Sequence, residues 1–353
     1  MTKRIKPSIL TIEANASCQL RCPTCPTTSK GYPPMVGSGY LKFVDFKNLI
    51  DRNPQIKEVS FDNRGEMFLN KDLLQIIEYG AQKSIKMFAN GGVNLNHVDD
   101  GVLEGLVKYR FRSLLCSIDG ASPETYRIYR VRGDFHRVME HIRQINELKL
   151  HYRSPYPVLG WQFVVFGHNE HEIRLAKEMA KKLNMQFSPK MSWDSKYSPI
   201  RDKEFVMAET GWPVVTREEF EETMGKNYMR DVCLPLWNSP RVNWDGKIMG
   251  CCWNSWGDFG GNAFHDGLVS AINNEKITLA REMLLGKRGP IDGIPCTTCD
   301  MYMKIKESRR FFTALEVNCH SLRRFVSTFQ ANRDSRWYGV ARFLYHNFFA
   351  WKS

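Results

Sequence analysis

Short apolar runs rich in β-branched and aromatic residues alternate with helix-like patterns over the first 190 positions of the chain. Helices joining successive strands are typical of βα units and a largely parallel sheet. Two helix starts stand out: Ser122 is followed by Pro123 at the first helical position, and Asn169 with Glu172 forms a possible capping box. The pattern predicts six strands, at residues 8–14, 56–62, 85–90, 112–118, 156–166 and 185–190.

The pattern changes after about residue 200, where the chain becomes rich in loops, Trp and Gly and holds six of its ten cysteines. Residues 241–251 predict a β-hairpin that turns at Asp245 and Gly246, because such a pair readily takes the positive φ angles of a tight turn. We therefore expect three parts: a βα core at 8–200, a cysteine-rich domain at 201–303, and a helical tail at 304–353.

Composition narrows the class of protein. The chain has 353 residues, of which 42% are hydrophobic, which is enough for a sizeable core. No window is long and apolar enough for a signal peptide or a membrane span, so a cytoplasmic location is expected. Ten cysteines in a reducing compartment indicate metal binding or catalysis rather than disulfides.

The net charge of +12 indicates a possible acidic partner. A phosphorylated or nucleotide-linked substrate, a nucleic acid and an anionic membrane all fit, and so does a basic solvated surface without a partner. The basic, aromatic tail at 304–353 either contacts a membrane peripherally or packs against the core of its own chain.

Three cysteines, Cys18, Cys22 and Cys25, stand within eight positions after the first predicted strand. Three thiolates from one loop can hold three irons of a cubane and leave the fourth iron open to a ligand. A structural zinc ion would require a fourth ligand, and no histidine stands near these cysteines.

This C-x3-C-x2-C spacing resembles the radical S-adenosylmethionine (SAM) superfamily. The resemblance implies a partial parallel (β/α)6 barrel, in which Cys18, Cys22 and Cys25 hold a 4Fe–4S cluster whose open iron binds SAM. It further implies reductive cleavage of SAM to a 5'-deoxyadenosyl radical, with an electron donor such as flavodoxin or ferredoxin.

Further segments resemble the family in chain order. Arg64, Gly65 and Glu66 resemble its GGE motif, with arginine in place of the first glycine, and Glu66 would accept from the SAM amino group. FANGG resembles the family segment that ends the third strand, so Asn90 is placed near the cofactor.

The fourth and fifth predicted strands also end in segments that resemble the family. Ser117 and Arg130 correspond to a SAM-contacting serine and an arginine that pairs with the SAM carboxylate, with Arg127 and Arg132 as alternatives to Arg130. FGHNEHEI resembles the segment near adenine and ribose, which makes Asn169 and Glu170 candidates.

A second set of cysteines, Cys233, Cys251, Cys296 and Cys299, suits a four-thiolate site for zinc or an iron–sulfur cluster. This region resembles the SPASM or Twitch extension of radical SAM enzymes, in which a Gly-x4-Cys segment precedes a CxxC; Gly246 begins that segment here. Since no further cysteines follow Cys299 at the distance that a full SPASM domain requires, the resemblance implies one auxiliary 4Fe–4S cluster.

Three cysteines remain outside both sets. Cys252 is an alternative to Cys251 as ligand, because adjacent residues of a strand face opposite ways. Cys116, Cys252 and Cys319 are otherwise expected to be buried thiols. The functional alternative is a thiol that donates a hydrogen atom to a substrate radical.

The resulting hypothesis is a radical SAM enzyme that oxidises or epimerises a small polar substrate. This substrate is a sugar or cyclitol, either free or linked to a phosphate or nucleotide. Lys190, Asp194 and Lys196 are candidates for the mouth of the substrate site. Two alternatives stay open: a peptide-modifying radical SAM enzyme, and a zinc-binding module for nucleic acid, the less favoured partner.

Overall fold

The computed structural model describes residues 4–27, 33, 35–62, 64–225 and 227–317. The predictions for Cys319 and for residues 318–353 of the basic tail lie outside the described residues. No helix in the described part of the chain is both long and apolar enough to cross a membrane.

Eight strands form one sheet in the order β6-β5-β4-β3-β2-β1-β7-β8. The first six run parallel to their neighbours in chain order, so the predicted parallel α/β core is confirmed. Each predicted strand is present close to its expected ends. The strands are β1 (Ile9–Glu13), β2 (Glu58–Asp62), β3 (Lys86–Val93), β4 (Ser113–Ser117), β5 (Val158–Val165), β6 (Met185–Met191), β7 (Arg241–Val242) and β8 (Ile248–Gly250).

Helices connect the strands and continue after them. The first six are α1 (Phe43–Arg52), α2 (Leu73–Gln82), α3 (Asp100–Lys108), α4 (Pro123–Tyr129), α5 (Phe135–His151) and α6 (Ile173–Lys182). The later ones are α7 (Lys203–Thr210), α8 (Arg217–Met224), α9 (Pro235–Asn238), α10 (Leu268–Ala271), α11 (Glu275–Leu284) and α12 (Asp300–Glu307).

The two helix starts predicted from sequence have different outcomes. Ser122 caps α4, accepting from the backbone N–H of Thr125 at 3.3 Å, with Pro123 as its first residue. The capping box at Asn169 was wrong, because the Asn169 side chain makes no capping hydrogen bond. Its amide is used elsewhere in the fold, and Glu172 instead accepts from the backbone N–H of Ala121.

The two faces of the sheet differ in polarity because side chains alternate along each strand. One face packs under the helices: Ile12, Phe61 and Trp161 are fully buried in the same hydrophobic core as helix residues such as Ile76. The opposite face, here called the polar face, carries mainly oxygen- and nitrogen-bearing side chains. These are Thr11, Glu13, Ser60, Asn90, Ser113, Ser117, Gln162, Ser188 and Lys190.

The cysteine-rich region joins the sheet of the core. Strand β7 pairs parallel to β1 through Thr11 and Ile12, and β8 runs antiparallel to β7, which confirms the predicted hairpin. Gly246 has φ +87° at the turn, and a Cβ there would lie 2.3 Å from the side-chain oxygen of Asn262. The hairpin therefore extends the core sheet next to the strand that precedes the first cysteines.

Candidate functional site

The three N-terminal cysteines lie in the loop that follows β1, where the carboxyl ends of parallel strands meet. The side chains of Cys18, Cys22 and Cys25 pack in one small hydrophobic cluster with Leu20, Tyr129 and Phe166 among others. A short turn joins the last two cysteines, since the backbone N–H of Cys25 donates to the carbonyl of Cys22 at 3.1 Å. The structure thus brings all three thiols to one place.

Two polar side chains from other elements approach these sulfurs. The amide nitrogen of Asn94, just after β3, lies 3.6 Å from Cys18 Sγ. Arg130, just after α4, places Nη1 3.7 Å from Cys22 Sγ. Both groups donate hydrogen bonds, so both favour a negatively charged sulfur.

The protein by itself favours the protonated form of two of these thiols, Cys18 and Cys22. Burial, followed by the nearby Glu66 carboxylate, raises the pKa of Cys18 to about 12. Burial also raises the pKa of Cys22, and the positive charge of Arg130 opposes that shift. Thiolate ligation therefore requires a bound cationic centre that displaces the protons.

A donor set of three thiols in a half-buried apolar cluster fits an iron–sulfur cluster. Within the described ranges, no three His, Cys, Asp or Glu side chains converge on the position of a single metal ion. The nine described cysteines form no disulfide.

Glu66 is tied directly to the cysteine loop. Its backbone N–H donates to the carbonyl of Ser17, the residue before Cys18, at 2.7 Å. Its carboxylate accepts from the backbone N–H groups of Asn94 at 2.7 Å and Phe68 at 3.3 Å. Burial raises the pKa of Glu66 to about 7. The carboxylate is thus held by backbone donors close to Cys18.

Gly65 explains how Glu66 comes so near the cysteine loop. A Cβ on Gly65 would lie 2.3 Å from the backbone oxygen of Asn15 and 2.5 Å from that of Ser17. Only glycine fits between these backbone segments. The predicted placement of Gly65 beside the cluster loop therefore has a steric reason.

Arg130 is fixed by the carboxylate of Asp119. Its Nη2 lies 2.6 Å from Asp119 Oδ2, and the Asp119 side chain is fully buried. Asp119 Oδ1 accepts from the backbone N–H of Val164 at 2.7 Å. The buried Nε of Arg130 has no hydrogen-bond partner among the described residues. One guanidinium donor beside the cysteine loop is thus available to an anionic ligand.

Ser117 begins a line of polar contacts across the polar face of the sheet. Gln162 on β5 donates to Ser117 Oγ at 3.2 Å. Lys190 on β6 donates to the Gln162 side-chain oxygen at 3.1 Å. The register makes Gln162 the neighbour of both Ser117 and Ser188, which explains the alignment. Gln162 belongs to no recognised sequence motif. Only its position between the apolar residues Trp161 and Phe163 could have predicted that it faces the other side of the sheet.

Asn90 lies on the polar face but away from the sulfur contacts described above. Its side-chain oxygen accepts from Ser113 Oγ at 2.7 Å. Asn94, four positions later, makes the contact with Cys18 instead. A break in strand register between Ala89 and Val93 separates the two asparagines, and sequence alone gives no sign of it.

Asn169 and Glu170 hold the local fold together. Asn169 is fully buried, and its amide donates to the carbonyls of Asp119 and Val164. The Glu170 carboxylate accepts from the backbone N–H groups of Arg201 and Asp202. These bonds give both residues a structural role beside the fifth-strand loop.

The second cysteine set is buried, and its charges interact. Cys233, Cys251, Cys296 and Cys299 are each less than 9% exposed. Burial, and then the three other cysteines of the set, raise the pKa of Cys233. Cys252 is exposed, so the expectation of a buried thiol was wrong; the residue lies in the bend after β8 and not in the strand. Four buried thiols match the number of thiolate donors that an iron–sulfur cluster takes.

Arg64 links the two sites. Its backbone N–H donates to the Glu13 carboxylate at 3.0 Å, and its Nη2 donates to the Cys252 carbonyl at 2.9 Å. The same Nη2 also contacts the carbonyl of Asn254. Arginine at this position therefore connects the Glu66 segment with the loop that carries Cys251.

The chain superposes on crystal structures of SuiB from Streptococcus suis. SuiB alone gives a TM-score of 0.57 at 15% identity, covering 76% of this chain and 66% of SuiB. SuiB bound to the precursor peptide SuiA gives 0.58 at 13% identity, covering 84% and 70%. The chain thus spans about two thirds of the length of SuiB.

A second similar structure is anSMEcpe with bound AdoMet and Kp18Cys peptide. Its TM-score is 0.52 at 17% identity, covering 83% of this chain and 86% of that one. Neither family models nor curated protein sequences gave a match to this chain. SuiB and anSMEcpe are radical SAM enzymes, so the chain has the α/β fold of the radical SAM enzymes, as the sequence resemblance implied.

Proposed function

We propose that this protein is a radical SAM enzyme with one auxiliary iron–sulfur cluster. Cys18, Cys22 and Cys25 would hold a 4Fe–4S cluster with an open iron for SAM. When bound, cluster and SAM together supply a 5'-deoxyadenosyl radical, which abstracts a hydrogen atom from the substrate.

The observation that carries the proposal is the convergence of three distant segments on the cysteine loop. Glu66 is bonded to the residue before Cys18, Asn94 contacts Cys18, and Arg130 contacts Cys22. A structural metal site needs thiols only, whereas a SAM site also needs an acceptor for an amino group and a donor for a carboxylate. Glu66 and Arg130 supply these two groups beside the same loop.

Other residues of this chain would shape the SAM site. Gly65 lets Glu66 approach the cluster loop, and Asp119 orients the Arg130 guanidinium. Ser117 lies on the polar face, and a Cβ at Gly92 would lie 2.3 Å from its Oγ. We place Ser117 and Glu66 among the SAM-binding residues and Asn90 on the floor of the site. Asn169 and Glu170 would support the adenine side through the loop that they hold.

The test is cleavage of SAM by protein reconstituted with iron and sulfide without oxygen. After reduction with dithionite, 5'-deoxyadenosine is measured by chromatography. We expect its formation in the wild type and its loss, with about four irons fewer per chain, when Cys18, Cys22 and Cys25 are changed to Ala. Cys116→Ala is the matched control, because Cys116 is buried on the opposite face of β4. Unchanged iron content and cleavage in the triple variant would refute the proposal.

The second cluster is proposed for Cys233, Cys251, Cys296 and Cys299. Cys251 is favoured over Cys252 because Cys251 is buried with the other three thiols and Cys252 is exposed. An auxiliary cluster that accepts an electron would make the reaction an oxidation, while a thiol that donates hydrogen would invert a centre. Deuterium from D2O in an inverted product identifies the second outcome.

A small polar substrate, a sugar or cyclitol, is our first candidate, because polar side chains line the face of the sheet beside Ser117. A peptide is the second candidate, since SuiB and anSMEcpe were both solved with peptides. Flavodoxin or ferredoxin would supply the electron, in the cytoplasmic location expected from the sequence. Incubation with each substrate class and mass spectrometry of the products separates the two candidates.

A further inference from the structure

Two cations stand together at the carboxyl end of β6. Lys190 is the next-to-last residue of that strand, and Arg217 is the first residue of α8. Arg217 Nη2 donates to the carbonyl of Met191, the neighbour of Lys190, at 3.0 Å. The two side chains also interact electrostatically: after burial, the charge of Arg217 is the largest influence that lowers the pKa of Lys190.

Neither cation is neutralised by an ion pair. Across the described ranges, no carboxylate lies within salt-bridge distance of Lys190 or Arg217. The acidic group with the largest influence on the pKa of Lys190 is Asp119, whose carboxylate already pairs with Arg130. Lys190 is exposed and Arg217 is half-buried, so these neighbouring cations without a paired anion are accessible to an external anion.

The donors of this pair are only partly used. Among the described residues, Lys190 has one hydrogen-bond partner, the side-chain oxygen of Gln162, and its side chain is exposed to solvent. The buried Nε of Arg217 has no partner within the described part of the chain. An ammonium group has three donors and a guanidinium five, so several remain for a ligand.

The pair belongs to the same side of the molecule as the cysteine loop. Lys190 lies on the polar face, in line with Ser117. Trp193, three residues after Lys190, donates to Thr24 Oγ1 of the cysteine loop at 3.0 Å. Cys252, in the loop after β8, is among the groups whose charge influences the pKa of Lys190.

We propose that Lys190 and Arg217 bind the phosphate group of a phosphate monoester substrate. This inference rests on the proposed function, because it assigns a substrate class to that site. Two adjacent cations match the charge of a phosphate monoester dianion, whereas a carboxylate carries one charge. A guanidinium also binds two oxygens of a phosphate at once.

Binding is measured by calorimetry on the reconstituted holoprotein with SAM. The probes are glucose 1-phosphate, inorganic phosphate, glucuronate as a carboxylate, and neutral glucose. We expect the phosphates to bind, and Lys190→Gln and Arg217→Gln each to weaken glucose 1-phosphate binding about 10- to 100-fold. Lys182→Gln, at the end of α6 near the amino end of β6, is the charge-matched control and should bind like the wild type.

Each other outcome has a defined meaning. Equal weakening by Lys182→Gln, no phosphate binding by the wild type, or glucuronate binding as tightly as glucose 1-phosphate would each overturn the inference. Arg217→Lys, which keeps the charge, should retain more binding than Arg217→Gln, and circular dichroism checks that each variant folds. Formation of 5'-deoxyadenosine without added substrate is measured in parallel. If the wild type forms no 5'-deoxyadenosine, the proposed function is refuted. The binding data alone then decide whether Lys190 and Arg217 bind phosphate.

Discussion

The substitution Gly65→Ala tests the packing that brings Glu66 to the cysteine loop. The added Cβ would lie 2.3 Å from Asn15 O, 2.5 Å from Ala16 C and 2.5 Å from Ser17 O. These are backbone atoms, so no side-chain rotation relieves the clash. Overpacking costs about 1–3 kcal/mol, and because three backbone atoms must move we expect the upper end, about 3 kcal/mol of unfolding free energy.

Gly101→Ala is the matched control for this change. Gly101 lies in α3, and its added Cβ would meet only Leu74 Cδ2, at an ordinary 3.7 Å. Alanine there should stabilise the helix by about 0.5–1 kcal/mol. Urea unfolding followed by circular dichroism measures both variants, and iron analysis after reconstitution shows whether Gly65→Ala also lowers cluster binding. A Gly65→Ala stability within about 0.5 kcal/mol of the wild type would refute the steric argument.

Three other changes test separate parts of the molecule. Burial lowers the pKa of His168 from 6.5 to about 4. The neutral imidazole therefore supports the fold fully above pH 6.5, and this stability is lost as the pH falls toward 4. In His168→Gln, the free energy of unfolding measured with urea should change less with pH over that range. Cys233→Ser should remove about four irons per chain while Cys252→Ser removes none, and equal iron in both variants contradicts the second donor set. Arg130→Gln should cost about 3–5 kcal/mol in urea unfolding, because Asp119 would stay buried without its cation; a loss below about 1 kcal/mol contradicts that pairing.

The strands were predictable because their apolar residues leave a clear pattern. Strands β1 and β5 are short runs of mostly apolar residues, and the hairpin turn carries Asp245 and Gly246. The pairing of β7 with β1 was not predictable, since β7 spans only two residues and such a pairing depends on the fold rather than on periodicity. The two cysteine sets were predictable because their spacing can be seen in the sequence and does not depend on how the rest of the chain folds.

The polar groups around the cysteines were harder to predict than the cysteines themselves. Asp119 stands in a segment typical of a turn, yet its carboxylate is buried beside Arg130. Asn94 replaces Asn90 at Cys18 because of a local break in strand register. Contacts of this kind depend on which way a side chain points after the backbone has folded, and neighbours in sequence do not determine that direction.

Arg64 stands in place of the first glycine of the GGE motif, and its side chain makes contacts that glycine could not make. A glycine at this position would leave the carbonyls of Cys252 and Asn254 without the donor that they now share. The Glu13 carboxylate, 1% exposed, accepts from the Arg64 backbone, so a buried acid and a half-buried base are held in one short segment next to Glu66. Movement of the loop that carries Cys251 would therefore displace Arg64 and, with it, the segment that positions Glu66. Under the proposed function, the two cluster sites are mechanically connected through this arginine, and the geometry of one depends on that of the other.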